Sequence, residues 1–208
     1  MGATLFEQLA RGQAPPHIPL TVTHLRRMIE AGWLPEGEPV ELDGVLVHKD
    51  RSAAGEDRLT HGKRHATAVA MLRRLDRVLE GRGCHLRTQL PVTLSETSEP
   101  EPDGAIVVGA DDGYVDRHPG PGDVLVVVEV ADSSLCFDEG AKLQLYAAAG
   151  IPVYVIVDLP AERVPLYREP ETTPAAYRAR RENPRGETIE LPVRSQTVAV
   201  PVSDFLPA

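Results

Sequence analysis

The chain has little of several things, and each shortage narrows what it can be. Only two cysteines occur in 208 residues, Cys84 and Cys136, far apart in sequence. No CxxC and no Cys/His cluster accompanies them. A disulfide framework or a zinc site is therefore not expected, and two buried thiols in a reducing cytosol are. Aromatic residues make up 4% of the chain, so the core must come from Val, Leu, Ile and Ala. No apolar run approaches the roughly 18–20 residues that span a bilayer. The start, MGATLFEQLARGQ, lacks the basic-then-apolar pattern of a secretory leader. Phe6 stands where a myristoylation signal needs Ser or Thr. The reading is cytoplasmic, with no membrane.

Positive charge is also short, with 22 Lys and Arg against 31 Asp and Glu, a net −9. That opposes a broad basic surface for DNA. It does not oppose a local cleft, because a carboxylate metal site adds negative charge that its ion neutralises. Also missing are a GxSxG elbow, a phosphate-cradling Gly loop, an HExxH motif and a dinucleotide fingerprint.

What is present suits one ordinary domain, residues 1–208, with 42% apolar and 25% charged residues. Residues 1–20 contain prolines and read as loose. Thr21 or Thr23 can cap a helix to about Ala31, which Gly32 stops. In PVELDGVLVHK, the Asp43-Gly44 pair between two apolar arms predicts a hairpin. Residues 50–59 read as a loop, and 60–81 as the longest helix, with His65, Val69, Leu72 and Leu79 on one face. CHLRTQLPVTL and DGAIVVGA read as strands. DVLVVVEVAD reads as a central strand buried on both faces. Asp138 can open a helix to Ala149, with Gly150 as its stop, before the buried strand IPVYVIVD. The rest, 161–208, reads as a C-terminal sheet extension ending in a turn at SDFL. This order predicts an α/β or α+β fold with a central mixed sheet flanked by helices.

Glu129 is hard to explain by packing, because it interrupts an apolar strand. A buried ionised carboxylate requires a metal, a cation or a raised pKa. A salt-bridged structural glutamate would satisfy the same requirement. Asp103 opens the preceding strand, where Pro-Asp-Gly is otherwise simply a turn. If the two strands are neighbours, Asp103 and Glu129 face one cleft, and two hard oxygen ligands make a Mg²⁺ site. Lys142 lies just over a turn into the next helix, on a face with Tyr146, and can position water or offset phosphate charge. Its plainer reading is an exposed cation paired with Asp138. Glu41 can add a third carboxylate or be a solvated edge residue. Gln89 can meet substrate or satisfy backbone groups, and His65 is either a core histidine or a site residue. The 60–81 helix carries a basic excess, Lys63, Arg64, Arg73, Arg74, Arg77 and Arg82, that suits phosphates or plain solvent.

The stretches EPDGAIVV, VLVVVEVADSS and DEGAKLQLYAAAGIPVYVIVDL, preceded by ELDGVLV and QLPVTL, resemble the Uma2 family of the PD-(D/E)XK nuclease superfamily. The resemblance covers about residues 20–160. It implies a restriction-endonuclease-like core and a Mg²⁺- or Mn²⁺-dependent endonuclease, acting on nucleic acid with DNA favoured. A homodimer is left open, and a nuclease fold kept only to bind DNA or a protein partner is the alternative. The superfamily pattern implies Asp103 and Glu129 as metal ligands and catalytic residues, with Glu41 as the early acidic ligand. The usual lysine two residues after the strand acid is Ala131 here, and Lys142 on the next helix takes that role. His65, Gln89 and Tyr146 are candidate substrate contacts. Val155 stands where related sequences often carry Trp.

Overall fold

The computed structural model describes residues 18–34, 40–48 and 62–208, except for the side chains at 40–42 and 48. Residues 1–17 and the predicted loop at 50–59 lie outside the described residues. Helix α1 spans Val22–Glu30, and Thr21 caps it by accepting from the His24 N–H at 3.2 Å. Gly32 ends it at φ +70°, a conformation that costs glycine little. The predicted hairpin is present, with β1 (Val40–Asp43) antiparallel to β2 (Leu46–His48) and Gly44 in the turn at φ +68°. Strand β1 also pairs with β4 (Ser98–Glu99), so these three form a small sheet of their own.

The main sheet has six strands in the order β3-β5-β6-β7-β8-β9. These are β3 (Cys84–Arg87), β5 (Gly104–Val108), β6 (Val124–Ala131), β7 (Val153–Asp158), β8 (Leu166–Thr172) and β9 (Ala175–Arg181). Only β6 and β7 run parallel, so the sheet is mixed. Their connection crosses over through α4 (Leu135–Phe137), a π turn (Asp138–Lys142) and α5 (Leu143–Ala148). A parallel pair needs such a crossover, because a tight turn can join only antiparallel strands.

Strand β6 is buried along nearly its whole length, as its apolar run requires. One face packs Val126, Val128 and Val130 under α2 (Lys63–Met71) and α3 (Leu75–Leu79), which a 3-10 turn joins. The other packs Val127 and Ala131 under Tyr146 and beside Tyr154 of β7. Val155 is fully buried on the first face, among valines and leucines.

Three sequence expectations need correction. The strand predicted over residues 84–94 stops at Arg87, because Gln89 turns to φ +51° and takes the chain out of the sheet. The helix expected to open at Asp138 begins three residues earlier, and Asp138 instead opens the π turn. After residue 160, β8 and β9 do extend the sheet, but β10 (Thr188–Val193) and β11 (Gln196–Pro201) pair only with each other. Their alternate residues Ile189, Leu191, Val193, Val198 and Val200 close the core beside α2 and α3. Among the described residues, no helix is long and apolar enough to cross a membrane.

Candidate active site

Asp103 stands one residue before β5. The register pairs Gly104 with Val128 and Ala105 with Val127, so Asp103 falls opposite Glu129. Opposed residues on antiparallel strands share a face. Both carboxylates are buried, Asp103 to 9% exposure and Glu129 to 3%.

Each is held by identifiable donors. The Val130 N–H of β6 donates to Asp103 Oδ2 at 2.8 Å. The aspartate thus takes over a ladder bond where β5 gives out. His65, on the buried face of α2, places Nε2 3.2 Å from the same oxygen. Both bonds use Oδ2, which leaves Oδ1 for another partner. Burial pushes the Asp103 pKa up. The hydrogen bond and charge of His65, the Val130 N–H and the charge of Lys142 outweigh it and hold the group below its ordinary value. Asp103 is therefore an anion at neutral pH.

Glu129 Oε1 accepts from Lys142 Nζ at 2.9 Å and from the Tyr146 hydroxyl at 2.7 Å. Lys142 and Tyr146 lie four residues apart on one helical face, at the junction of the π turn with α5. Single π turns inside helices are frequent at functional sites. The plainer reading of Lys142 as an exposed cation does not hold, because its side chain is largely buried against Glu129. Asp138 is buried and accepts from Ser134 Oγ at 2.5 Å. Lys142 is 12% exposed and lies over Glu129, with the Phe137 ring 5.9 Å from Nζ.

The structure thus brings Asp103, Glu129, Lys142, His65 and Tyr146 together. Tyr146 is fully buried, and its hydroxyl donates to Glu129 Oε1. Gln89 is exposed, and its backbone N–H reaches the Asp103 carbonyl at 3.3 Å. Glu41 sits on β1 opposite Val47, and its side chain lies outside the described residues. The basic excess of the long helix is partly spent within the protein. Arg64 reaches the Leu159 carbonyl, Arg74 pairs with Asp204, and Arg82 bonds Val78 O and Gln196. Sequence reasoning passed over Arg87 and His118. The two-residue strand period was the available signal for Arg87, since it places Arg87 with His85 and, by register, over Ala105.

Among the described residues, no three His, Cys, Asp or Glu side chains form a group that could hold a metal ion. Two hard carboxylates still suit Mg²⁺, which is commonly held by one or two carboxylates with water and phosphate completing its shell. The ionised Asp103 fits that role.

Two buried carboxylates on neighbouring strands, approached by a lysine from the crossover, thus sit in a mixed α/β sheet flanked by helices. The model of the Uma2 family, described as "Putative restriction endonuclease", matches residues 52–202, and the chain belongs to that family. Membership supports a nuclease-like function with nucleic acid as the substrate class. The chain is also similar to a solved protein from Anabaena variabilis described as "a putative nuclease belonging to DUF820". The TM-score is 0.59 at 15% identity, over 90% of this chain and 97% of that one, a likeness of fold. No curated protein matches the chain.

Proposed function

We propose that the protein is a divalent-metal-dependent endonuclease that hydrolyses phosphodiester bonds, with DNA as the favoured substrate. The juxtaposition of Asp103, Glu129 and Lys142 at one end of β5 and β6 carries this reading. Asp103 and Glu129 would hold Mg²⁺ or Mn²⁺, with Glu41 as a further ligand. When bound, such an ion polarises a phosphate and lowers the pKa of a water. His65 and the Val130 N–H fix the Asp103 rotamer. Tyr146 fixes Glu129, so neither carboxylate must be ordered when substrate arrives. Lys142 would exchange part of its hold on Glu129 for the charge developing on the phosphate.

A second reading has an observation in its favour. Lys142 and Tyr146 both donate to Glu129 Oε1, a pairing that a fold binding DNA without cutting it would also use. Plasmid nicking with Mg²⁺ or Mn²⁺ separates the two. Lys142→Ala should lower turnover roughly a hundredfold, the scale of one lost electrostatic stabiliser. Asp103→Ala should weaken metal binding first, seen as loss of the thermal stabilisation that added Mg²⁺ gives the wild type. No turnover by the wild type across a panel of DNA and RNA would leave the binding module.

The whole chain is taken as one functional unit. Of the two thiols expected to be buried, Cys84 is buried but Cys136 is exposed; a reducing cytoplasm remains the proposed setting. A homodimer is likewise a proposal, and sedimentation tests it.

A further inference from the structure

The edge strand β3 carries a second group of polar side chains beside the carboxylate site. Arg87 is its last residue and pairs with Ala105, two positions along β5 from Asp103 and one strand outward. Standard strand spacings put the two Cα atoms roughly 8 Å apart. Arg87 Cζ lies 5.5 Å from the centroid of the Tyr114 ring, and Arg117 Cζ lies 5.2 Å from it. Tyr114 is held in place by its hydroxyl, which donates to the Val108 carbonyl at 2.6 Å.

The two arginines differ in one respect. Arg117 is engaged by Asp123 through bonds of 2.6 and 3.3 Å. Arg87 has no carboxylate partner among the described residues, and its Nε is buried without a hydrogen bond. His118 Nδ1 is likewise buried without a partner. His118 follows Arg117, which lies against the same Tyr114 ring as Arg87, and the charge of Arg87 acts on it. Glu99 and Glu101 are the negative charges acting on His118. Glu99 also accepts from Thr93 Oγ1 at 2.5 Å and lies 4.0 Å from Arg26.

A partly desolvated guanidinium with no counter-charge is costly, and an arriving anion removes that cost. Its planar fork matches a phosphate better than any other side chain does. We propose that Arg87 and His118, backed by Tyr114, form a binding site for a non-scissile backbone phosphate of nucleic acid. The site would set the path of the strand across Asp103 and Glu129. It is a local cationic point on an acidic protein, so it orients a duplex rather than attracting one from a distance.

This inference rests on the nuclease reading for its ligand class, but its test does not require cleavage. Binding of a short fluorescent DNA duplex of mixed sequence is titrated in EDTA at several salt concentrations. Arg87→Ala should weaken binding roughly tenfold, whatever the sequence, and reduce the salt slope by about one. Arg87→Lys should keep the slope and lose part of the affinity, because a point charge lacks the fork. Arg178→Ala, which removes the same charge at the far edge strand β9, should change neither. His118→Gln leaves β3 untouched and should weaken binding several-fold, which keeps the test alive if Arg87→Ala fails to fold. Equal affinity and slope in the wild type, Arg87→Lys and His118→Gln would overturn the proposal, and so would failure of the wild type to bind the duplex. A wild type that binds in this Arg87-dependent way but never cleaves keeps the phosphate site and ends the nuclease reading. Cleavage with KM unchanged in Arg87→Ala does the reverse.

Discussion

The two regions of the sheet that carry most charge handle it in opposite ways. At β5 and β6 the carboxylates of Asp103 and Glu129 are buried, and each is held by its own donors. Around β8 and β9 the arginines and acids lie mostly toward solvent and share partners, the buried Asp158 apart. Arg180 meets both Glu139 and Glu182, Arg163 meets Asp158 and Glu182, and Arg178 meets Glu171. In water such a network is worth little and tolerates the loss of a member. In the interior every donor is needed, because an unanswered charge there has no solvent to turn to. The β8–β9 pairs thus decorate the fold, whereas the centre holds groups that packing alone would not put there.

The largest expected effect tests that contrast directly. Glu129→Leu leaves Lys142 facing an apolar neighbour and should cost about 3–5 kcal/mol, the scale of a broken buried pair. Urea denaturation without divalent ions measures it. A loss below about 1 kcal/mol would mean that Lys142 swings out to solvent and that the pair is no more buried in effect than those of β9.

Gly104→Ala comes next. A Cβ at Gly104 would lie 2.9 Å from Leu72 Cδ1 and 3.5 Å from Val128 Cβ. Overpacking of this kind costs about 1–3 kcal/mol. Because Gly104 adjoins Asp103, the strain should also loosen the Asp103–His65 contact, seen as a shift of the His65 ring resonances in NMR.

A smaller effect is the pH dependence. The pKa of Asp103 is lowered on folding, so its contribution is full above the unfolded value of about 3.9 and is lost as pH falls through the folded value. Melts in acid should show the wild type losing stability over that range relative to Asp103→Asn. Parallel pH profiles would deny Asp103 its special environment. Smallest of all, Arg178→Ala should change stability by no more than about 1 kcal/mol, since Arg178 is 63% exposed and its partner Glu171 is 39% exposed. A larger loss would show that the β9 network is cooperative.

Much of the fold was legible because it is local. Thr21 caps its helix by reaching three residues forward, Gly32 ends it, and Asp43-Gly44 turns a hairpin. Each of these is decided within a few residues. The apolar runs of β6 and β7 announced burial on both faces, and Glu129 stood out against that run. The family resemblance drawn from those same stretches agrees with the match over residues 52–202.

Tertiary structure decided what depends on partners distant in sequence. From the sequence, Lys142 had an acid four residues away in Asp138, and helical spacing alone favoured that pair. The π turn and the crossover to β7 bring it to Glu129, 13 residues away, a partner that helical spacing does not point to. The same holds for His65 and Asp103, which are 38 residues apart and meet only because α2 packs over the end of β5. Arg87 looked like any strand arginine. That it lacks a carboxylate partner among the described residues is a property of what packs around it, which no window of sequence contains. The sequence by itself determined which segments are strands and helices and which carboxylate was out of place. Side-chain electrostatics act through space over a few ångströms, so only the folded chain decided which charge answers which.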